Sequence, residues 1–386
     1  MCTKLKVGLI VNPISGMGGK VGLHGTDHES FRAAISLGAQ PTSGERTIRA
    51  LRDLVKSAEL FDFHTARGAM GGDYLEILGI SYQPLAIETV NEITTGHDSQ
   101  EAASALIRAG VDLILFSGGD GTARDIFSAV VDSTLMLGIP SGVKMRSEVF
   151  GIYPESIPEI LVSLARSIQS HPPQNAEILD VSGTLNSHGS WGTELFGVAK
   201  TPRSTRLIQS GKISSQSHSE VGLRELARKI AGEMTPGKLY LVGPGRSAHL
   251  VLEECGLEGS FIGVDALADG ELLGTDLNEQ EILSLLGRYE QRELILGVIG
   301  GQGFLLGRGN QQISASVISE LGFGSVRVMA SAQKIGALIP ATLHVDLEGS
   351  GERVLSPRYI QVHTAPNRTI LCSIEVPANY HAMTVM

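Results

Sequence analysis

The chain has 386 residues, a formal charge of −10, 42% hydrophobic residues and 19% charged residues. That length accommodates two domains, and the composition is globular rather than disordered. The negative balance, with no Lys/Arg cluster to displace counterions, argues against nucleic acid, and aromatics at 5% leave little for stacking on bases.

Cys2, Cys255 and Cys372 have no metal-ligand spacing and suit a reducing cytosol. The apolar run Val7–Val11 is too short for a signal-peptide core. The longest uncharged stretch, Leu294–Gly307, is broken by glycines and cannot span a bilayer. These features predict a soluble, cytoplasmic protein with no membrane partner.

In chain order, Leu5–Val11 reads as a strand that ends at Asn12-Pro13 and a Gly-rich loop. Apolar spacing predicts a helix over Thr42–Ser57, then strands at Leu60–Phe63 and Pro84–Ile87. Asp98 with Glu101 three residues on resembles a capping box, opening a helix that ends at Gly110. Val111–Phe116 follows as a buried strand, Gly118–Gly121 as a tight loop, then a helix to Val131 and a strand over Leu135–Ile139. Alternating strands and helices predict parallel strands with right-handed crossovers, and ligands at the strands' C-terminal ends.

The expected fold class is therefore α/β, with an N-terminal doubly wound parallel-sheet domain over residues 1–145. A second, more β-rich α/β domain is expected over 146–386, with the boundary near Gly142–Arg146. There the sequence predicts a helix at Ile157–Ile168, a linker at His171-Pro172-Pro173, and strands at Glu177–Leu185 and Trp191–Ala199. A βαβ-like stretch over Lys238–Asp265, a strand at Glu293–Val298 and closing strands at Tyr359–Thr364 and Thr369–Glu375 complete it.

The strongest chemical signal is Gly118-Gly119-Asp120-Gly121-Thr122, delivered by an apolar strand and opening a helix. Glycines let backbone N–H groups turn toward phosphate oxygens, and a helix N-terminus adds positive potential. Asp120 among them can accept a proton from an attacking hydroxyl or help to hold Mg²⁺. A plain strand-to-helix turn with Asp120 as its cap is the alternative, but three glycines and a Thr exceed what a cap needs.

The loop Asn12–Lys20 is not a Walker A loop, since Ile14 stands six residues before Lys20 and Val21 follows it. Paired with the 118–122 loop on one sheet, it offers Asn12, Pro13, Ser15 and Gly16 to a nucleotide. Gly243-Pro244-Gly245-Arg246-Ser247-Ala248 fits G-x-G-x-x-A, and Asp265 twenty residues after Gly245 is available for ribose hydroxyls. Pro244 removes one N–H from that loop. Gly301, Gln302 and Arg308 follow another apolar strand; amides can read ribose or base edges, and Arg308 can clamp phosphate. His24 and His28 are four apart in a Gly-rich stretch where no helix is expected, so no zinc site is assigned.

Gly118-Gly119-Asp120-Gly121-Thr122 resembles the signature shared by nicotinamide-dinucleotide kinases, diacylglycerol-type lipid kinases and phosphofructokinase-like enzymes. Asn12-Pro13-Ile14-Ser15-Gly16 resembles the loop after their first strand. Leu137–Lys144, Leu241–Gly245 and Ile299–Gln312 are similar to the ATP–NAD kinase/acetoin-catabolism-X branch. The resemblance implies an NAD kinase-like fold and a small-molecule kinase that uses ATP and Mg²⁺, with phosphates on the 12–16 and 118–122 loops. It implies that Asp120 is the base for the acceptor hydroxyl, which for NAD is the adenosine-ribose 2′-hydroxyl. Gly243, Gly245, Asp265, Gly301, Gln302 and Arg308 would then seat the acceptor, in an enzyme expected to be a homo-oligomer.

Two departures keep the acceptor open. The Asn91-Glu92 pair lies before the Asp120 loop rather than after it, and Thr201-Pro202-Arg203-Ser204-Thr205 keeps only part of the family's Thr-rich loop. A kinase of another hydroxyl-bearing metabolite, lipid-type included, and a non-catalytic nucleotide sensor stand beside the NAD reading.

Overall fold

The computed structural model describes residues 4–23, 28–87, 94–130, 134–143, 145–167, 172–185, 191–204, 207–209, 218–299, 302–347 and 358–377. The chain divides into two units. The first comprises Met1–Met17, Gly25–Asn186 and Trp191–Gly211, and the second Gly18–His24, Ser187–Ser190 and Lys212–Met386. Residues 145/146, where a boundary is expected from the sequence, lie within the first unit, which runs on through a β-ribbon.

The first unit holds a parallel sheet of β1 (Leu5–Val11), β2 (Phe61–Thr65), β3 (Tyr82–Pro84), β4 (Leu113–Gly118) and β5 (Leu135–Pro140), in the order β3-β2-β1-β4-β5. Its helices are α1 (His28–Ser36), α2 (Ser43–Arg52), α3 (Gly72–Ile77), α4 (Gly96–Arg108), α5 (Asp120–Phe127) and α6 (Ile157–Ser167). Antiparallel β6 (Gln174–Leu185) and β7 (Trp191–Thr201) form the ribbon.

Strand residues alternate between faces, and here both faces are apolar, which is why the strands read as continuous hydrophobic runs. Val7, Leu9, Leu113, Leu115, Leu137 and Ile139 pack with Ala50 and Leu51 of α2 and Ile157, Ile160 and Leu161 of α6. The intervening Ile10, Ile114, Phe116 and Met136 pack with α4, with Ala123 and Ile126 of α5, and with Ala176 and Ala199 of the ribbon.

Several elements differ from the sequence expectation. The helix expected over 42–57 ends at Arg52 and tightens into a 3₁₀ stretch, Asp53–Leu60, with a non-helical Ser57. The cap of α4 is Thr95, not Asp98. Asp98 sits in the first turn and accepts the Thr95 N–H at 2.7 Å, completing the box from the other side. The strand expected at 84–87 is β3, two residues earlier and on the sheet edge, where Pro84 costs no ladder hydrogen bond. A helix does start at His28, where none was expected; His24 lies outside the described residues.

The second unit is built on a nine-stranded sheet. Its elements are α7 (His218–Gly232), β8 (Leu239–Val242), α8 (Arg246–Glu254), β9 (Asp265–Ala268), β10 (Glu271–Gly274), α9 (Glu279–Leu286), β11 (Arg292–Gly297) and β12 (Phe304–Leu306). They continue with α10 (Ala315–Leu321), β13 (Val326–Met329), α11 (Ala332–Gly336), β14 (Thr342–Val345), β15 (Tyr359–Ala365) and β16 (Arg368–Glu375). The strand order is β10-β9-β8-β11-β13-β15-β16-β14-β12. This is the more β-rich part of the α/β fold.

Leu241, Leu294, Leu296 and Val328 face α9 and α10, and Tyr240, Val242, Ile295 and Met329 face α7 and α8. The βαβ expectation for 238–265 fails in direction, since β9 runs antiparallel to β8. The return loop explains it. Phe261 O accepts the Gly245 N–H at 2.9 Å, so the chain is back at the C-terminal end of β8 before β9 begins.

Candidate active site

In the first sheet the strand order reverses between β1 and β4, which are hydrogen-bonded neighbours with Val11 opposite Ser117. Such a switch point opens a crevice at the strands' C-terminal ends. The two loops singled out in the sequence emerge there side by side. The Asn12 N–H donates to Ser117 O at 3.0 Å, and Asn12 Nδ2 donates to Thr122 Oγ1 at 3.0 Å. The end of β5 joins them. The N–H groups of Ser141 and Gly142 donate to Gly118 O at 3.2 and 3.1 Å, and Ser117 Oγ donates to Ser141 Oγ at 3.1 Å.

Close approach requires the glycines. A Cβ on Gly118 would strike the Thr122 side chain, and one on Gly142 would strike the Gly119 backbone. Gly16 has φ +85° and lies against Thr42 and the Ser141 carbonyl. Around Gly121, by contrast, a Cβ would meet nothing.

Two helix N-termini point into this neighbourhood. α5 starts from Gly119, which has no side chain to cap it, and α2 starts from Thr42, whose side chain makes no capping bond. The Thr42 N–H is tied to Ser15 O at 3.3 Å, so α2 begins beside the Asn12–Gly16 loop. Helices leave their first N–H groups without intrahelical acceptors and carry a positive end, so the pair makes a cradle for phosphate oxygens.

Asp120 opens α5 and is buried, at 6% exposure. Its Oδ1 accepts the Ser147 N–H at 3.0 Å and the Ser147 hydroxyl at 2.8 Å, and the one Arg146 N–H is shared between Oδ1 at 3.0 Å and Oδ2 at 2.8 Å, the single donor to Oδ2 among the described residues. Burial pushes the carboxyl up to about 6, against these hydrogen bonds and the Arg146 charge, which favour the ionised form. The 145–147 segment is itself held. Gln209 Nε2 donates to Ser147 O, the Leu179 N–H donates to Ser147 Oγ at 3.0 Å, and the Glu148 N–H donates to Glu177 O at 2.9 Å.

Sequence reasoning missed Arg146 and Ser147, and it read the segment that grips Asp120 as a domain boundary. The available signal was Pro140-Ser141-Gly142, a third strand end with small residues at the C-terminal edge of the same sheet. Lys144 lies outside the described residues.

The acceptor residues expected in the second unit are placed differently. The Gly243 N–H donates to Ile295 O at 2.9 Å, the Gly245 N–H to Phe261 O at 2.9 Å, and Pro244 has none. Asp265 is wholly buried and accepts the N–H groups of Ser260 at 2.6 Å and Asp276 at 2.9 Å; burial raises its pKa. Its carboxylate closes loops of its own unit.

Gln302 and Arg308 are buried, and Gly301 lies outside the described residues. The Arg308 guanidinium lies 4.3 Å from the Phe304 ring centroid, and its Nε is 3.9 Å from Asp346 Oδ2. Pro202, Arg203 and Ser204 line a cavity with Leu135 and Leu207, at the N-terminal end of β5 and so at the opposite edge of the sheet from Asp120. Asn91-Glu92 lies outside the described residues.

A model of the ATP-NAD kinase N-terminal domain matches residues 7–167, and a model of the ATP-NAD kinase C-terminal domain matches residues 238–371. Together they span most of the chain. The chain belongs to the ATP-NAD kinase family. This kinase is accordingly a phosphotransferase with an alcohol acceptor, and the N-terminal match contains every residue of the Asp120 site except Gln209 and the β6 groups that brace it. No curated protein matches the chain. Among the described residues no helix of the kinase is long and apolar enough to cross a membrane.

Proposed function

We propose that this kinase transfers the γ-phosphoryl group of ATP to the 2′-hydroxyl of the adenosine ribose of NAD, giving NADP and ADP. The observation that carries the reading is Asp120, a buried carboxylate whose pKa lies near 6, set in a three-glycine loop at a topological switch point. Near neutral pH it is ionised yet basic enough to take a proton. In the proposed step the acceptor hydroxyl gives its proton to Asp120, its oxygen bonds to the γ-phosphorus, and the bond to ADP breaks. The first turns of α5 and α2 hold phosphate oxygens, and Asn12 keeps the two loops in register by bonding Thr122. Positioning and fixed dipoles carry most of the acceleration in such transfers.

Mg²⁺ would offset phosphate charge. Among the described residues no group of three His, Cys, Asp or Glu is arranged to hold a metal ion, so we assign it no protein ligand and treat it as entering with ATP.

A second acceptor has an observation in its favour. The loop read as a dinucleotide fingerprint has the N–H groups of Gly243 and Gly245, and the carboxylate of Asp265, committed to backbone partners. That arrangement suits a kinase of another hydroxyl-bearing metabolite, lipid-type included, as well as one of NAD. Purified protein with Mg-ATP and NAD, followed by a coupled assay that responds only to NADP, decides between them. NADP formation establishes the acceptor. ATP binding without NADP removes NAD and calls for a screen of hydroxyl-bearing metabolites by ADP release.

A further inference from the structure

The grip on Asp120 is asymmetric. A carboxylate oxygen accepts comfortably from about two donors. The Ser147 N–H and hydroxyl both go to Oδ1, whereas the one Arg146 N–H is shared, 3.0 Å from Oδ1 and 2.8 Å from Oδ2, and is the single donor to Oδ2 among the described residues. Resting on the kinase reading above, we infer that Ser147 is a positioning residue that commits Oδ1 of Asp120 to the 145–147 segment and leaves Oδ2 as the atom that takes the acceptor's proton.

The geometry gives Ser147 little other use. It is wholly buried on a segment between β5 and α6, so it touches no solvent, and its hydroxyl also accepts the Leu179 N–H. The one hydroxyl proton has two acceptors in reach, Asp120 Oδ1 at 2.8 Å and Leu179 O at 3.2 Å, and the shorter contact to a charged oxygen gives it to Asp120. Gln209, donating to Ser147 O, prevents the segment from sliding along the carboxylate. A carboxylate held mainly through one oxygen keeps the second in a fixed direction, which a general base needs and a freely rotating side chain lacks.

Among the described residues the charged group that acts on this carboxylate is Arg146 on the gripping segment, with Asp180 on β6 beside Arg146 and with Arg124 and Asp125 further along α5. Arg124 is paired with both Asp125 and Asp180. Of these, Arg146 acts on Asp120 and favours its ionised form, as the Ser147 hydrogen bonds do. Removing the Ser147 hydroxyl therefore makes Asp120 harder to ionise.

The test compares Ser147→Ala and Ser147→Thr with the wild-type chain in Mg-ATP-dependent turnover of NAD. Ser147→Ala should lower kcat at least tenfold, leave the KM for ATP within about twofold, and move the acid limb of the kcat–pH profile upward by roughly half a unit or more. Ser147→Thr, which keeps the hydroxyl, should restore the position of that limb. A second readout does not depend on turnover. A ¹³C-carboxyl NMR titration, with the Asp120 signal assigned from its loss in Asp120→Asn, should show the same upward displacement in Ser147→Ala. If the wild-type chain makes no NADP, the reading of the acceptor fails while the titration still judges Ser147. An unmoved acid limb and an unmoved titration in a folded Ser147→Ala overturn the inference. So does a kcat loss that merely tracks a lower Tm and is shared by Ser147→Thr.

Discussion

The two units each present a glycine loop that follows a buried apolar strand and opens a helix, and the two loops look alike in sequence. After β4 the loop runs Gly118-Gly119-Asp120-Gly121; after β8 it runs Gly243-Pro244-Gly245. Their hydrogen-bond accounts are opposite. Gly119 caps α5 with extended backbone, and the space around Gly121 is open. Asp120 retains an oxygen with a single donor. In the second loop one glycine N–H completes the sheet to Ile295, the other fixes the return loop through Phe261, and Asp265 is consumed by Ser260 and Asp276. Only the first turn of α8 is left to offer N–H groups there. A glycine motif thus signals close backbone approach, and only the destination of its N–H groups tells whether a ligand or the protein itself is approached.

Exchanging the carboxylates for amides breaks the comparison most severely. Asp120→Asn should cut kcat by about 10³-fold, within the usual range for loss of a general base, while a nucleotide-induced rise in Tm persists. Asp265→Asn should leave kcat/KM for NAD within about twofold, and its damage should appear as stability. One of the backbone N–H groups it serves would face an amide NH₂, at a cost of roughly 1–3 kcal/mol. Steady-state kinetics beside denaturant unfolding separates the two. A tenfold rise in the KM for NAD in a stable Asp265→Asn would restore the ribose role and erase the contrast.

The glycines give a smaller effect of the same form. Gly118→Ala drives a methyl into Thr122, so Thr122 or the loop must shift; about 1–3 kcal/mol and a tenfold or larger loss of kcat are expected. Gly245→Ala meets no atom, but φ is +100°, a conformation that strains an L-residue by about 1–3 kcal/mol. Its kcat/KM should be unchanged at temperatures where it stays folded. Equal losses of kcat in the two variants would show that the second loop, too, serves the reaction.

Much of the first unit was legible because its strands are apolar on both faces and its loops carry their chemistry in consecutive residues. The strands at 5–11 and 135–139 stand where the pattern puts them, but the loop expected over 118–121 shrinks to Gly119, since β4 runs to Gly118 and α5 spans Asp120–Phe127. The grip on Asp120 was not legible. It comes from backbone N–H groups, which every residue type carries, and from one serine 27 positions along the chain. The direction of β9 was hidden for a related reason. G-x-G-x-x-A followed by Asp265 fits a parallel crossover, and the contact that reverses it, Gly245 to Phe261, joins two backbone groups with no sequence signature. Gln302 and Arg308 were found as polar residues after a strand, but the burial of both and the contacts of Arg308 with Phe304 and Asp346 are tertiary facts.

The smallest effect is a pH dependence in which the two units oppose each other. Burial pushes Asp120 up to about 6 from 3.8, so between those values the native chain binds a proton that the unfolded chain does not. Asp120's contribution to stability is therefore present at low pH and is lost as pH rises toward 6. His344, pushed down to about 4 from 6.5 by burial and then by Arg308, has the other sign. The unfolded chain takes up the proton first, so this contribution is present above about 6.5 and is lost as pH falls toward 4. Going from pH 7 to pH 5, His344 should cost about 2 kcal/mol and Asp120 return about 1, leaving a small net loss from the pair. His344→Gln should remove the first term alone, so that acidification to pH 5 costs this variant about 2 kcal/mol less than the wild-type chain in urea unfolding. An equal acid sensitivity in both would mean that His344 titrates normally, and the opposition between the units would rest on Asp120 alone.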